Sequence, residues 1–422
     1  MIERLKQTLE RNRDAYLKPL TELVAIDTHC LGHGVAGGLE KGGQDYMAEL
    51  LSRMGATVRR APMAEQDIQT AMARHHEGNP NHNYDGRDNV YGRFPGAGGR
   101  SLLFNGHMDT MPAGNQADWT YNPHTPTISG GKLYGLGACD MKGGLVAAVM
   151  AVQLLKDAGI PLPGDVHIAS VADEEGGGNG SIAAAMQGVK ADAVVVCECS
   201  DRELIAAHMG FVFFRVEVVG QACHSGAKWL GVSAIEKATA LIDALNALEH
   251  RWLLRYKHPL LPAPNLNVGV IRGGTAGSTV AGECLFEVCV HYLPGVMNHD
   301  QVVREFREAI DWAANGDPWL ATHRPRLTVY QSGGAFEMDL EHPFTRAFCD
   351  AISAVQARPA KVVGSPAGCD SRVWRNIAGC PTLQYGPGAL AQCHAVNEYV
   401  PLADYYDAIL TYACLILAWG NP

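Results

Sequence analysis

A chain of 422 residues, 47% hydrophobic and 18% charged, is long enough for two domains and a large core. Its formal charge of −10, with no basic run, argues against a nucleic-acid or anionic-membrane partner. Residues 1–20 interleave Glu3, Arg4, Lys6, Glu10, Arg11 and Arg13 with no apolar core, unlike a secretory signal. The longest apolar runs, 145–150 and 408–419, are short for a bilayer span. Twelve cysteines without paired C-x-x-C spacing read as small buried hydrophobes of a reducing compartment, so the expected location is cytoplasmic.

In chain order, residues 2–27 read as one helix, 28–43 as a Gly-rich loop holding His29 and His33, and 44–54 as a short helix leading to a strand near 56–60. Residues 64–90 read as a polar surface excursion whose histidines, His75, His76 and His82, face solvent. A strand–helix alternation then begins. Strand 101–104 runs into His107, a glycine-rich turn at 130–137 precedes Asp140, and 145–158 is an apolar helix. Strand 166–171 ends in Asp173, Glu174 and Glu175, a helix spans 181–187, and strand 193–197 ends at Glu198. This rhythm predicts an α/β fold with a mostly parallel sheet flanked by helices, in which ligands collect at the carboxyl ends of strands.

The pattern changes near Met209. Strand 211–219, helix 233–252, strands 265–271 and 285–293, helix 300–315 and strand 326–330 follow in β-α-β-β-α-β order. That order predicts an inserted ferredoxin-like α+β domain at 209–331, between a first part at 1–208 and a second at 332–422. The second part holds a helix at 341–356, a strand at 381–385 running into Gly386-Pro387-Gly388, a loop carrying His394, and a closing helix at 402–419.

Three adjacent carboxylates at the end of a buried strand repel one another and lose solvation, so Asp173, Glu174 and Glu175 call for compensation. An acidic helix N-terminus would serve; so would a divalent cation, and the glycines at 176–178 allow close approach. Partners at other strand ends favour the cation. Singly, each partner has an ordinary reading: His107 as a turn histidine, Asp140 as a helix cap, Glu198 as half of an ion pair, His394 as a loop histidine. Jointly they match a two-metal hydrolase, whose ions, about 3.5–4 Å apart, need a bridging carboxylate and a further carboxylate free to move a proton. The ligand candidates are His107, Asp140, Glu175, Glu198 and His394, with Glu174 as base. Asp109 is placed to accept the His107 imidazole N–H. Nitrogen and oxygen donors without thiolate favour two Zn2+, with Co2+ or Mn2+ as substitutes. No G-x-x-x-x-G-K-[ST] accompanies the glycines, which discounts nucleotide binding.

Five motifs carry a resemblance over nearly the whole chain: Gly106-His107-Met108-Asp109-Thr110, Gly137-Ala138-Cys139-Asp140-Met141-Lys142-Gly143-Gly144, Asp173-Glu174-Glu175-Gly176-Gly177, Val196-Cys197-Glu198 and Cys393-His394-Ala395-Val396-Asn397-Glu398. The sequence resembles the zinc metallopeptidase family that includes acetylornithine deacetylase, succinyl-diaminopimelate desuccinylase, aminoacylase and glutamate carboxypeptidase. The resemblance implies His107 and Glu198 on one metal, Glu175 and His394 on the other, Asp140 between them and Glu174 as general base. It implies a lid domain that mediates homodimerisation, in which His224 of Gly220-Gln221-Ala222-Cys223-His224-Ser225-Gly226 reaches the partner's site and stabilises the oxyanion. Arg372 becomes the expected anchor of a substrate carboxylate, and Gly386 and Gly388 a substrate-facing loop.

Leu136 stands where the family commonly has an arginine, and so does His291; Ser278 and Ala281 replace a common Asn and Pro. None of these is a metal ligand, so the resemblance implies intact hydrolysis with an open question of substrate. The expected activity is hydrolysis of the amide of an acetyl- or succinyl-type N-acyl amino acid. The alternative is a dipeptidase or carboxypeptidase acting on small peptides.

Overall fold

The computed structural model describes residues 1–421. It divides into two compact units: Met1–Ala206 with Met338–Gly364 and the chain from Cys369 onward, and Ala207–Glu337 with Ser365–Gly368.

In the first unit, Gly99–His107 is the middle strand of a mixed sheet. It runs parallel to Gly164–Val171 on one side, pairing His107 with Val171, and to Val194–Val196 on the other. Val194–Val196 in turn runs parallel to Thr382–Gln384. Asn89–Phe94 and Thr57–Ala61 extend one margin in antiparallel fashion, and Leu204–His208 extends the other through Ile205 opposite Gln384. The parallel centre reads as continuous apolar sequence because helices cover both faces, leaving Val194, Val195 and Val196 wholly buried. Gly143–Asp157 is buried along most of its length, and Tyr412 of Leu402–Gly420 lays its ring 5.0 Å from that of Phe104 in the middle strand. The stretch Ala138–Asp157 has the length and apolarity of a membrane span, yet 94% of its most apolar window is buried inside the protein.

The second unit is a four-stranded antiparallel sheet ordered Asn265–Gly273, Glu283–Tyr292, Gly210–Val219, Arg326–Gly333, with helices Ala234–Arg255 and His299–Asn315. This is the ferredoxin-like arrangement expected from the element order. Alternation along Gly210–Val219 turns Val212, Phe214, Val216 and Val218 inward, where they join Leu241, Leu245 and Phe306 in one core. The rings of Phe214 and Phe306 stack at 3.8 Å.

Two expectations are corrected in the first unit. The helix expected over 2–27 is two helices, Ile2–Arg11 and Arg13–Val24. The break falls at Asn12, whose side-chain amide bonds the Thr8 carbonyl and whose backbone leaves helical geometry. Residues 64–90 are no solvent loop. Glu65–His75 is a helix whose Ile68 and Ala71 pack on Ile182 and Val373, and Asn89–Phe94 is a sheet strand. His82 is buried and bonded to Asp173, so the expectation that it faces solvent fails.

Candidate metal centre

Each candidate ligand stands where the chain leaves a regular element at one edge of the parallel strands. His107 ends Gly99–His107, and Glu198 lies two residues beyond Val194–Val196. Glu174 and Glu175 occupy a turn that opens with Asp173 in the left-handed region (φ +60) and closes at Gly178 (φ +84). The Asp109 carboxylate fixes that turn by accepting the backbone N–H groups of Glu174 (3.1 Å) and Glu175 (3.0 Å). Asp140 lies in the turn Ala138–Lys142 ahead of helix Gly143–Asp157. Its backbone N–H, with those of Gly137 and Cys139, is held by the buried carboxylate of Glu398. At Gly144 a Cβ would fall 1.8 Å from the Cys197 carbonyl oxygen, so glycine there lets the helix approach the strand end that presents Glu198.

These residues form two triads that share Asp140: His107 with Asp140 and Glu198, and His394 with Asp140 and Glu175. The two Asp140 oxygens divide between the histidines, Oδ1 lying 3.0 Å from His107 Nε2 and Oδ2 3.4 Å from His394 Nε2. Glu198 Oε1 is 3.5 Å from His107 Nε2, and Glu175 Oε2 is 3.0 Å from His394 Nε2. Donor atoms on one tetrahedral zinc ion lie roughly 3.4 Å apart. The spacings match, and Asp140 has the two-sided placement of a bridging carboxylate. Residues and metal pair fit.

The electrostatics agree. Burial pushes the Glu174 carboxyl well above its ordinary range, and Asp370, Glu198 and Glu175 add to the rise. Burial and Asp140 hold Glu198 at about 7 and also raise Glu175. Burial likewise works against ionised Asp140, but hydrogen bonds from both histidines outweigh it and keep this carboxyl low. His107 is buried, which alone would lower it, yet its bonds to Asp140 and Glu198 raise it well above the usual imidazole value. Bonds to Asp140 and Glu175 lift His394 to about 10. Without metal, two imidazolium protons neutralise a carboxylate cluster whose donors are arranged for cations.

Residues 103–418 match the sequence profile of Peptidase family M20/M25/M40. The chain belongs to this family. It is 32% identical over 366 residues to the N-formyl-4-amino-5-aminomethyl-2-methylpyrimidine deformylase of Bacillus subtilis, covering 80% of this chain and 84% of that protein. It is 30% identical over 317 residues to the acetylornithine deacetylase of Proteus mirabilis, covering 73% and 76%. Among solved structures, the M20 family metallo-carboxypeptidase Sso-CP2 of Sulfolobus solfataricus superposes with a TM-score of 0.75 at 16% identity over 96% of this chain and 99% of that one. The dipeptidase Dug1p of Saccharomyces cerevisiae gives 0.73 at 15% identity, over 100% and 99%. M20 family proteins are hydrolases, and the relatives matched here are named as a deformylase, a deacetylase, a carboxypeptidase and a dipeptidase.

The M20 site also departs from the sequence reading. The His107 Nδ1–H donates to the backbone carbonyl of Asp109 at 2.9 Å, while the nearer carboxylate oxygen is 3.7 Å away. Asp109 therefore orients the ring through its main chain and uses its carboxylate to hold the 174–175 turn. Arg372 is no free anchor. Its guanidinium is buried, with Nε 2.9 Å from Glu77 and its other nitrogens on the Cys369 and Gly177 carbonyls. Gly386 is buried with its N–H on Ser200 Oγ, and a Cβ there would fall 2.4 Å from the Cys197 carbonyl oxygen. Gly388 (φ +85) stands against Cys139 Sγ. These two glycines make close backbone contact beside the ligand loops. His224 is exposed in the other unit, its Nδ1 accepting the Gly226 N–H.

Three positioning groups escaped sequence reasoning: Glu398, Asp370, which accepts Ser181 Oγ–H at 2.6 Å and faces Glu174, and Glu77. Glu398 was legible in principle, as an acidic residue four places after His394 in the same motif.

Proposed function

We propose that this M20 hydrolase cleaves the amide of a small N-acylated amine, and that His107, Asp140, Glu175, Glu198 and His394 would hold two Zn2+. Co2+ or Mn2+ would substitute at the same donors. When bound, such ions supply Lewis acidity that polarises the amide carbonyl and makes water acidic near neutral pH. Glu174, in neither triad, takes the proton from the attacking water at its carboxylate and passes it to the nitrogen of the departing amine. Burial and its acidic neighbours give Glu174 the raised proton affinity that a shuttle needs. Asp109 aims it by fixing the backbone of its turn, and Glu398 holds Asp140 between the histidines. The observation that carries the reading is the division of the two Asp140 oxygens between the two histidines.

An acetyl- or succinyl-amino acid is the first substrate class, and dipeptides are the alternative. A formamide of a heteroaromatic methylamine is a second reading, favoured by the Bacillus subtilis relative and by the engagement of Arg372 with Glu77. Such a substrate has no carboxylate to anchor. The twelve free cysteines support a reducing, cytoplasmic setting. The test is a hydrolysis panel of formyl-, acetyl- and succinyl-amines and dipeptides on purified protein, with chelator and zinc add-back. Metal-restored amine release from one acyl class confirms an acyl-amide hydrolase. Release from dipeptides alone moves the assignment to peptidase.

A further inference from the structure

Cys139, Cys199 and Cys393 come from three separate segments: the turn Ala138–Lys142, the chain after Val194–Val196, and the His394 loop. Their sulfurs nevertheless converge, all lying within 4.8 Å of one another, with Cys199 and Cys393 at 3.3 Å. Cys139 and Cys199 are buried, Cys393 is half-buried, and all three are free thiols. Room for the cluster is kept by Gly388, where a Cβ would fall 2.5 Å from Cys139 Sγ. Small-hydrophobe packing, the expectation for these cysteines, gives no reason for three sulfurs to meet at one point. Each also adjoins a candidate ligand of the hydrolytic centre: Cys139 precedes Asp140, Cys199 follows Glu198, and Cys393 precedes His394.

We propose that Cys139, Cys199 and Cys393 form a separate site for one soft metal ion of the copper(I) class. Three sulfurs sharing one ion at about 2.3 Å in trigonal geometry lie roughly 4.0 Å apart, inside the spread seen here. No fourth histidine or carboxylate joins the three among the described residues. A three-sulfur set suits copper(I) better than zinc, which takes four ligands in structural sites, and the histidine–carboxylate centre retains zinc. Each ligating thiol gives its proton to solvent, and the ion keeps its oxidation state. Occupancy ties together the three segments that present Asp140, Glu198 and His394, so it slows hydrolysis while leaving zinc in place. That consequence rests on the proposed function; the binding itself does not.

The experiment is an anaerobic titration of the zinc-loaded full chain with copper(I) against a chromogenic copper(I) chelator, followed by ultraviolet sulfur-to-copper charge transfer and elemental analysis. The site predicts one copper(I) per chain, a charge-transfer band and unchanged zinc. Cys199→Ser and Cys393→Ser should each weaken binding by at least about 100-fold, and Cys414→Ser should leave it unchanged. Retained zinc content and circular dichroism show that the variants are folded. No uptake, uptake that expels zinc without the band, uptake indifferent to the cysteine variants, or a Cys199–Cys393 disulfide formed without copper would each overturn the site. Copper binding with no effect on turnover would overturn only the coupling to the hydrolytic centre.

Discussion

Glu174 and Asp140 are carboxylates in one buried cluster, yet their surroundings drive them in opposite directions. Asp140 lies between two imidazoles that keep its carboxyl low, which suits a bridging ligand; burial and the neighbouring Asp370, Glu198 and Glu175 raise the proton affinity of Glu174, which suits a group that must take up a proton and pass it on. Glu174→Gln keeps the shape and removes the proton acceptor. Turnover should fall by about 10²–10⁴-fold while bound zinc stays unchanged, read by steady-state kinetics beside elemental analysis. A pH dependence follows from the histidines. His107 is raised well above its ordinary value and His394 to about 10, so both are imidazolium in the metal-free protein at neutral pH. A ligating nitrogen must be unprotonated, so zinc uptake should release protons and its affinity should rise with pH up to the His394 value. Calorimetry in buffers of different ionisation enthalpy checks this. Four of the five candidate ligands were legible locally, His107, Glu175 and Glu198 at strand ends and Asp140 after a glycine-rich turn, and His394 only through the motif its loop carries; Asp370 and Glu398 were less so, since their roles depend on contacts 189 and 258 residues away in sequence.

At the scale of elements, the strand ends are held by a buried network that reaches into the segment misread as an excursion. Asp173, the first of the three carboxylates, accepts from His82 at 2.7 Å and from Arg87 at 2.9 Å, and Arg87 also pairs with Glu40. Arg87 and the His82 hydrogen bond compensate Asp173, leaving Glu174 and Glu175 to the candidate metal centre. Sequence reasoning saw that the cluster needed compensation but could not tell that Arg87 supplies charge and His82 a hydrogen bond, because a polar stretch looks alike whether its partners are water or a carboxylate 86 to 91 residues away. Removing one partner of a buried pair strands the other charge. Arg87→Met should therefore cost about 3–5 kcal/mol in denaturant unfolding, and a loss below about 1 kcal/mol would show that the network is not structural. The six-element order of the second unit was legible for the opposite reason, since strand alternation and helix periodicity are local signals.

At the scale of the molecule, the second unit carries surface features that suit self-association. Trp229 is 80% exposed and Leu230 62%, and Asn265–Gly273 forms an open edge of its sheet with Ile271 half exposed. Homodimerisation through this unit is the proposed arrangement, and Trp229→Glu should shift the mass from dimer toward monomer in light scattering. If His224 serves the partner's site, inactive His224→Ala and Glu174→Ala chains should regain activity on mixing; verified exchange without rescue would contradict action in trans. Beneath these questions of assembly lies the claim that two metals share Asp140, and zinc counted per chain tests it most directly. Wild type should hold two, with Glu198→Ala and Glu175→Ala about one each and Asp140→Ala neither tightly. A wild-type count of one, or an Asp140→Ala chain that keeps both ions, would contradict the shared-carboxylate centre.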